Sequence, residues 1–312
     1  MKMKKITALA TALALSLLML TACNPTPSTS ENSRNNGLSS PEDAYIQLSE
    51  YPRVDGSTAN LPYMALVLSR TTGIPLEEAE KLVGVTTTQQ AWDNLVNNNA
   101  DILIVYEASE ETIARLQDNY DDLEIIPIGV DGLVFVVNTE NPIDNLTQEE
   151  LVSIYTGEVT NWSEVGGSDV DIMPFQRVAG SGSQTMFLKL LMKGIAPMDA
   201  PTELVLAGMG GLIEEVASFD GSASAIGYSV YYYVTEMNQN PYLKILAVDG
   251  IDPTPETLGD GTYPLTNEYY VVIRADEPEG SPARMLRDWI ISPEGVEALL
   301  DSGYVPVPII AG

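Results

Sequence analysis

The sequence predicts an α/β protein with mixed sheets flanked by helices, and three observations carry that prediction. Apolar, β-branched runs alternate along the chain with segments of helical periodicity. Such alternation favours layers of sheet and helix over a bundle or a sandwich. No internal repeat interrupts it, and the ~270 residues that follow the N-terminal region suffice for two domains of ordinary size.

At the N-terminus, Lys2, Lys4 and Lys5 precede an apolar run from Ile6 to Leu20. The run is too short and wrongly flanked for a spanning helix, so residues 1–22 are expected to be a secretory signal peptide. It ends in Leu20-Thr21-Ala22-Cys23, which resembles the lipobox of bacterial lipoproteins. That resemblance implies cleavage before Cys23 and acylation of its sulfur by palmitate-type chains; the alternative is an ordinary signal with a chance cysteine. Two acyl chains hold a protein stably at a membrane surface. Residues 23–41 then form a Pro/Ser/Thr/Asn-rich tether with too little apolar content to fold.

The expected strands are Ile102–Val105, Glu124–Ile128, Leu133–Asn138, Asp171–Phe175, Ala225–Tyr228, Leu243–Val248 and Tyr269–Arg274. Helices are expected from about Leu61 to Arg70 and over Gln89–Val96. A further helix opens at Thr147-Gln-Glu-Glu150, whose Thr and Glu have the spacing of a capping box. Ser183–Lys193 places Met186, Phe187, Leu190 and Leu191 on one face and stops at Gly194, so these apolar residues belong to the core. Ser281 followed by Pro282 is a cap with proline in the first turn.

Composition excludes several chemistries. The formal net charge is −29, or −32 once the three signal lysines are removed, which excludes a basic nucleic-acid-binding face. There is no histidine, and Cys23 is the sole cysteine. Histidine-dependent triads, zinc sites and thiol nucleophiles in the folded part are therefore excluded. No metal site or cofactor is expected. An enzyme could use only carboxylate, Ser/Lys or Tyr chemistry, and no base lies near Ser181 in sequence; clusters such as Asp118–Asp122 read as solvated surface.

Three polar loops lie where strands give way to helices. They are Asp55-Gly56-Ser57-Thr58, Thr86-Thr87-Thr88, and Arg177-Val-Ala-Gly180-Ser181-Gly182-Ser183. Each offers hydroxyls and first-turn N–H groups that have no partner within the helix, at the positive end of its dipole. Gly56, Gly180 and Gly182 would let backbone approach a ligand closely. Arg177 adds a planar fork suited to two oxygens of a tetrahedral anion. Taken singly, Ser and Thr at such positions are as readily explained as helix caps.

The order of motifs resembles the PstS-like phosphate-binding proteins of ABC transporters, of the type II periplasmic-binding-protein fold. The resemblance runs from about Arg53 to Tyr304, and its most specific stretch is Leu146–Gly167, which contains Ile154-Tyr-Thr-Gly157 and Asn161-Trp-Ser163. Ile172-Met-Pro-Phe-Gln-Arg177 and Ser181-Gly-Ser-Gln-Thr185 follow, with weaker echoes in Asp131–Asn138 and Ala225–Ser229. The likeness implies a two-lobed fold with a ligand cleft between lobes. It sets one lobe at 42–134 plus 240–312 and the other at 135–239. It implies a ligand site formed by Ser57, Thr58, the Ala59 amide, Thr88, Arg177, Ser181, Gly182 and Ser183.

One departure stands out. The family carries an aspartate after the strand matching Asp101–Val105, where it accepts a proton from the ligand; here the chain reads Val105-Tyr106-Glu107-Ala108. Glu107 could take that acceptor role, or Tyr106 could donate, or Glu107 is a solvated loop carboxylate. The expectation is an extracytoplasmic, membrane-anchored monomer that captures phosphate or a related oxyanion for an ABC permease and ATPase. The alternative is a surface sensor or receptor for a different ligand. Tyr231-Tyr232-Tyr233 is either a partner surface or internal packing, Trp162 is expected to anchor the core, and Asp131 to fix the crossing between lobes.

Overall fold

The computed structural model describes residues 44–218 and 223–307. The expected signal peptide, Cys23 and the tether lie outside these residues. Among the described residues no helix is long and apolar enough to cross a membrane.

In chain order the strands are β1 (Val54–Gly56), β2 (Ile102–Tyr106), β3 (Leu123–Asn138), β4 (Asn145–Leu146), β5 (Met173–Pro174) and β6 (Gln176–Arg177). They continue with β7 (Val205–Leu206), β8 (Ala225–Val230), β9 (Leu243–Ile245), β10 (Ala247–Val248), β11 (Thr266–Arg274) and β12 (Val305–Pro306). The helices begin with α1 (Leu61–Thr72), α2 (Leu76–Leu82), α3 (Thr88–Val96), α4 (Glu110–Leu116), α5 (Asp118–Asp121) and α6 (Gln148–Thr156). Then come α7 (Gly182–Met186), α8 (Met209–Ser218), α9 (Pro255–Gly259), α10 (Pro282–Ile290) and α11 (Pro293–Asp301).

The sheet is mixed and runs β1-β2-β11-β3-β8-β5, with β9 and β12 also paired to β3. Its organiser is β3, a strand of 16 residues. Leu123–Gly132 of β3 pair antiparallel with β11, whereas Leu133–Val137 pair antiparallel with β8. One strand thus serves a first lobe built on β1, β2, β11 and β12 and a second built on β5, β8 and β9. In the first lobe β2 shows why a continuous apolar run forms a central strand. Ile102, Ile104 and Tyr106 enter one core and Leu103 and Val105 another, so both faces are covered by side chains of opposite parity. Trp92, Ala91 and Leu95 of α3 cover the second face.

One expectation is corrected: Glu124–Ile128 and Leu133–Asn138, expected as separate strands, are parts of one strand. Asp131 is buried within it, and its carboxylate accepts the Gly132 and Tyr232 N–H groups at 2.7 and 3.2 Å, which replaces solvent. Near the second expected lobe boundary, at 240, Leu243–Ile245 pair with Val136–Asn138 and Ala247–Val248 with β4.

Caps appear as the sequence places them. The Thr147 Oγ1 accepts the Glu150 N–H at 3.1 Å while Glu150 Oε2 accepts the Thr147 N–H at 2.8 Å. Ser281 caps α10 through the Arg284 N–H at 3.3 Å, with Pro282 in the first turn. The helix expected over Ser183–Lys193 is α7 followed by a π-helical segment, Phe187–Met192, ending at Lys193 and Gly194 with φ of 46° and 89°. Met186, Phe187 and Leu191 are buried, while Leu190 is only half-buried. Trp162 is buried and donates its indole N–H to the Ser224 carbonyl at 3.0 Å. Tyr232 is internal packing, stacked on Tyr304 with ring centroids 3.5 Å apart.

Candidate functional site

The three polar loops converge on one cavity of about 130 Å³. Each wall follows from local chemistry. The first loop leaves β1 and turns through Ser57, Thr58 and Ala59 into α1, and all three residues line the cavity. It is tied to the second loop by the buried Asp55. That carboxylate accepts the Thr86 N–H and hydroxyl, both at 2.8 Å, and the Asn94 side-chain amide at 2.7 Å. Gly56 does not serve the ligand face: a Cβ there would collide with the Ile104 carbonyl, so glycine permits β1 to lie against β2.

In the second loop Thr87 is the N-cap of α3, its Oγ1 accepting the Gln90 N–H at 3.2 Å. This puts Thr88 in the first turn, whose N–H groups have no partner in the helix. Thr88 Oγ1 lies 2.8 Å from Ser57 Oγ, which also accepts the Tyr106 N–H at 3.1 Å. Two loops and β2 are thereby fixed around a pair of hydroxyls.

The third loop follows β6. Ser181 caps α7 by accepting the Gln184 N–H at 3.3 Å, and Gly182 and Ser183 occupy its first turn. Two glycines here permit close approach. Gly180, with φ of 77°, is packed against Gln89, and the Gln89 N–H donates to its carbonyl at 3.3 Å. A Cβ on Gly182 would lie 2.8 Å from Thr88 Oγ1. The second and third loops are thus in direct contact across the cleft.

Arg177 is 6% exposed and lines the cavity. Its Nε–H donates to the Leu206 carbonyl at 3.0 Å, one Nη to the Ala207 carbonyl at 2.9 Å and the other to Ser183 Oγ at 3.2 Å. Among the described residues no carboxylate pairs with it. Burial pulls its pKa down from the ordinary arginine value, opposed by the nearby Tyr228 and Tyr233. Arginine keeps its proton through shifts of this kind, so a desolvated cation faces the cavity. Tyr228 and Gln184 hold the strand that presents it: the Arg177 N–H donates to the Tyr228 hydroxyl at 3.1 Å, and Tyr228 donates to Gln184 Oε1.

Ser57, Thr58, Ala59, Thr88, Arg177, Ser181, Gly182 and Ser183 are therefore brought together. Glu107 is not. Its carboxylate pairs with Lys189 on the π-helical segment, and Lys189 Nζ lies 3.4 Å from Asn267 Oδ1. That ion pair joins the Glu107 carboxylate to the π-helical segment, and Glu107 is not among the residues that line the cavity. Tyr106 does line the cavity, but its hydroxyl is committed to Asp131 at 2.6 Å. Burial raises the Asp131 carboxyl to about 6, against the lowering effect of that hydrogen bond and of the backbone N–H groups of Gly132 and Tyr232.

The sequence reading missed part of the wall. Ala207, Gly208 and Met209, where the chain enters α8, also line the cavity, as does Gln89. The signal present was the Gly208-Met-Gly-Gly211 run before an apolar helical pattern. It carries no hydroxyl or charge, so it reads as an ordinary linker.

Comparison with known proteins follows the geometry. A family profile described as the PBP superfamily domain matches residues 43–294. The phosphate-binding protein PstS of Bacillus subtilis is 27% identical over 181 residues, covering 58% of this chain and 56% of that protein. PstS of Borreliella burgdorferi is 27% identical over 182 residues, 57% of this chain and 63% of the relative. The matched stretch thus spans less than two thirds of the length of these curated relatives. An ABC-type phosphate transport receptor of Vibrio cholerae superposes with a TM-score of 0.60 at 24% identity, covering 81% of this chain and 98% of that one. A Clostridium perfringens protein solved with bound phosphate gives 0.64 at 23% identity, covering 82% and 98%. These likenesses establish the two-lobed α/β fold, and with a profile match across most of its length the chain belongs to the PBP superfamily.

Proposed function

We propose that the chain is an extracytoplasmic solute-binding lipoprotein, not an enzyme, that captures a small tetrahedral oxyanion, inorganic phosphate foremost, for an ABC importer. In this reading Cys23 carries the lipid anchor, the chain acts as a monomer, and a permease and ATPase receive the ligand. The observation that carries it is Arg177: a buried cation with no carboxylate partner among the described residues, surrounded by helix N-termini and hydroxyls. A desolvated charge of that kind is stable only when something of opposite sign completes it. Phosphate as the ligand is supported by the relatives' names.

The energetics are sufficient. Hydrogen bonds to a charged group contribute roughly 1.5–3 kcal/mol each. Five or six of them give roughly 8–18 kcal/mol before ordering costs, so the upper part of that range supports the about −8 kcal/mol of micromolar binding. Closure would be a hinge motion between the lobes, stabilised by contacts that form only when both lobes reach the anion.

Replacing Arg177 with alanine tests the assignment. Arg177→Ala should abolish phosphate binding in calorimetry while far-UV circular dichroism remains that of the folded protein. Unaltered affinity in that variant sinks the proposed site.

A further inference from the structure

The ligand's protonation state can be read from which lone pairs in the cavity are already taken. Ser57 Oγ accepts the Tyr106 N–H, Ser181 Oγ the Gln184 N–H, and Ser183 Oγ an Arg177 N–H. Each hydroxyl thereby has an oxygen engaged from behind. The Ser181 and Ser183 hydrogens have no acceptor among the described residues, and the Ser57–Thr88 pair can use only one of its two hydrogens internally. Buried hydroxyl hydrogens need an acceptor, so these point to the ligand. The other polar groups of the lining are first-turn N–H groups, the guanidinium, which has no acceptor capacity, and the neutral Thr58, Thr87, Tyr106 and Gln89 side chains, so no acceptor in the lining carries a charge.

Acceptors are correspondingly scarce. Among the described residues no carboxylate lines the cavity: Glu107 is bound to Lys189, and Asp131 lies behind Tyr106, whose hydroxyl it already holds. Gln89 is the one side-chain amide in the lining; it can turn either a carbonyl or an N–H inward, so it does not discriminate.

We infer that this cavity selects a tetrahedral dianion for its charge and shape and not for a proton on it, so that sulfate is a ligand alongside phosphate. The inference rests on the oxyanion-binding reading above and narrows it. Hydrogen phosphate brings a P–OH hydrogen for which the lining supplies no charged acceptor, whereas sulfate presents four acceptor oxygens to a set of donors. A carboxylate in the lining would reverse this, because it would accept the phosphate proton and repel an anion that has none.

Calorimetric titration of the anion-stripped intact protein with sodium phosphate and sodium sulfate in separate runs is the test. A sulfate Kd no more than about thirtyfold above that of phosphate is expected, and a larger gap overturns the inference while leaving phosphate binding in place. Binding of neither anion overturns the functional reading and this inference together, so the two failures are distinguishable. Gln89→Glu, which preserves side-chain shape and introduces the missing carboxylate, should raise the sulfate Kd at least about tenfold more than the phosphate Kd. An unchanged ratio in a folded Gln89→Glu protein overturns the claim that the lack of a carboxylate sets the breadth.

Discussion

Asp131 shows how one side chain can join the lobes and record pH. Its carboxylate sits in β3 where the strand passes from one sheet to the other, and it holds the Tyr106 hydroxyl of the first lobe and the Tyr232 N–H of the second. Burial raises its pKa to about 6. The unfolded value is about 3.9, so between these pH values the folded chain binds the proton more tightly than the unfolded chain. Its contribution to stability is therefore complete below about pH 4 and is lost as pH rises through 6, a change of about 3 kcal/mol. Thermal melts of the wild type and Asp131→Asn at pH 4 to 7 should show the wild type losing several degrees relative to the variant across that range. A gap between the two proteins that stays constant with pH would contradict the assignment.

At the scale of elements, the capping box of α6 is the simplest lever. Thr147→Ala removes a cap bond and leaves the Glu150 N–H without its partner. The cost should be about 1 kcal/mol, or a drop in Tm of a few degrees, with phosphate affinity unchanged because α6 does not line the cavity. That cap was legible because its chemistry is local: four consecutive residues specify it. The strand β2 was legible for a related reason, a short apolar run that can only be covered on both faces. The continuity of β3 was not, because the side chain and backbone that hold Asp131 between its two halves, Tyr106 and Tyr232, lie far away in sequence. The same contrast holds at the site. Arg177 and the hydroxyl loops announce themselves by residue type, whereas Ala207–Met209 reach the cavity only through pairing of β6 with β7. The fate of Glu107 depended on Lys189, 82 residues away, which no local pattern discloses. The π-helical segment that carries Lys189 likewise left no mark in the hydrophobic spacing.

For the whole molecule, charge and site oppose each other. A protein of formal charge −29 repels an approaching dianion, yet a buried cavity is little affected by distant surface charges once salt is present. Repulsion should therefore act mainly on capture. Raising ionic strength from about 10 to 150 mM should accelerate association severalfold, with a smaller change in dissociation, in stopped-flow tryptophan fluorescence. Slower association at higher salt would show instead that the local field of Arg177 governs encounter. Motion after capture is constrained by β3. Because β3 pairs with β11 on one side of the crossing and with β8 on the other, a hinge motion would have to be taken up partly as a change in the twist of this strand. Along that ribbon a methyl group on Gly132 would sit 2.6 Å from Leu258 Cδ2, so glycine lets α9 lie close against the crossing itself.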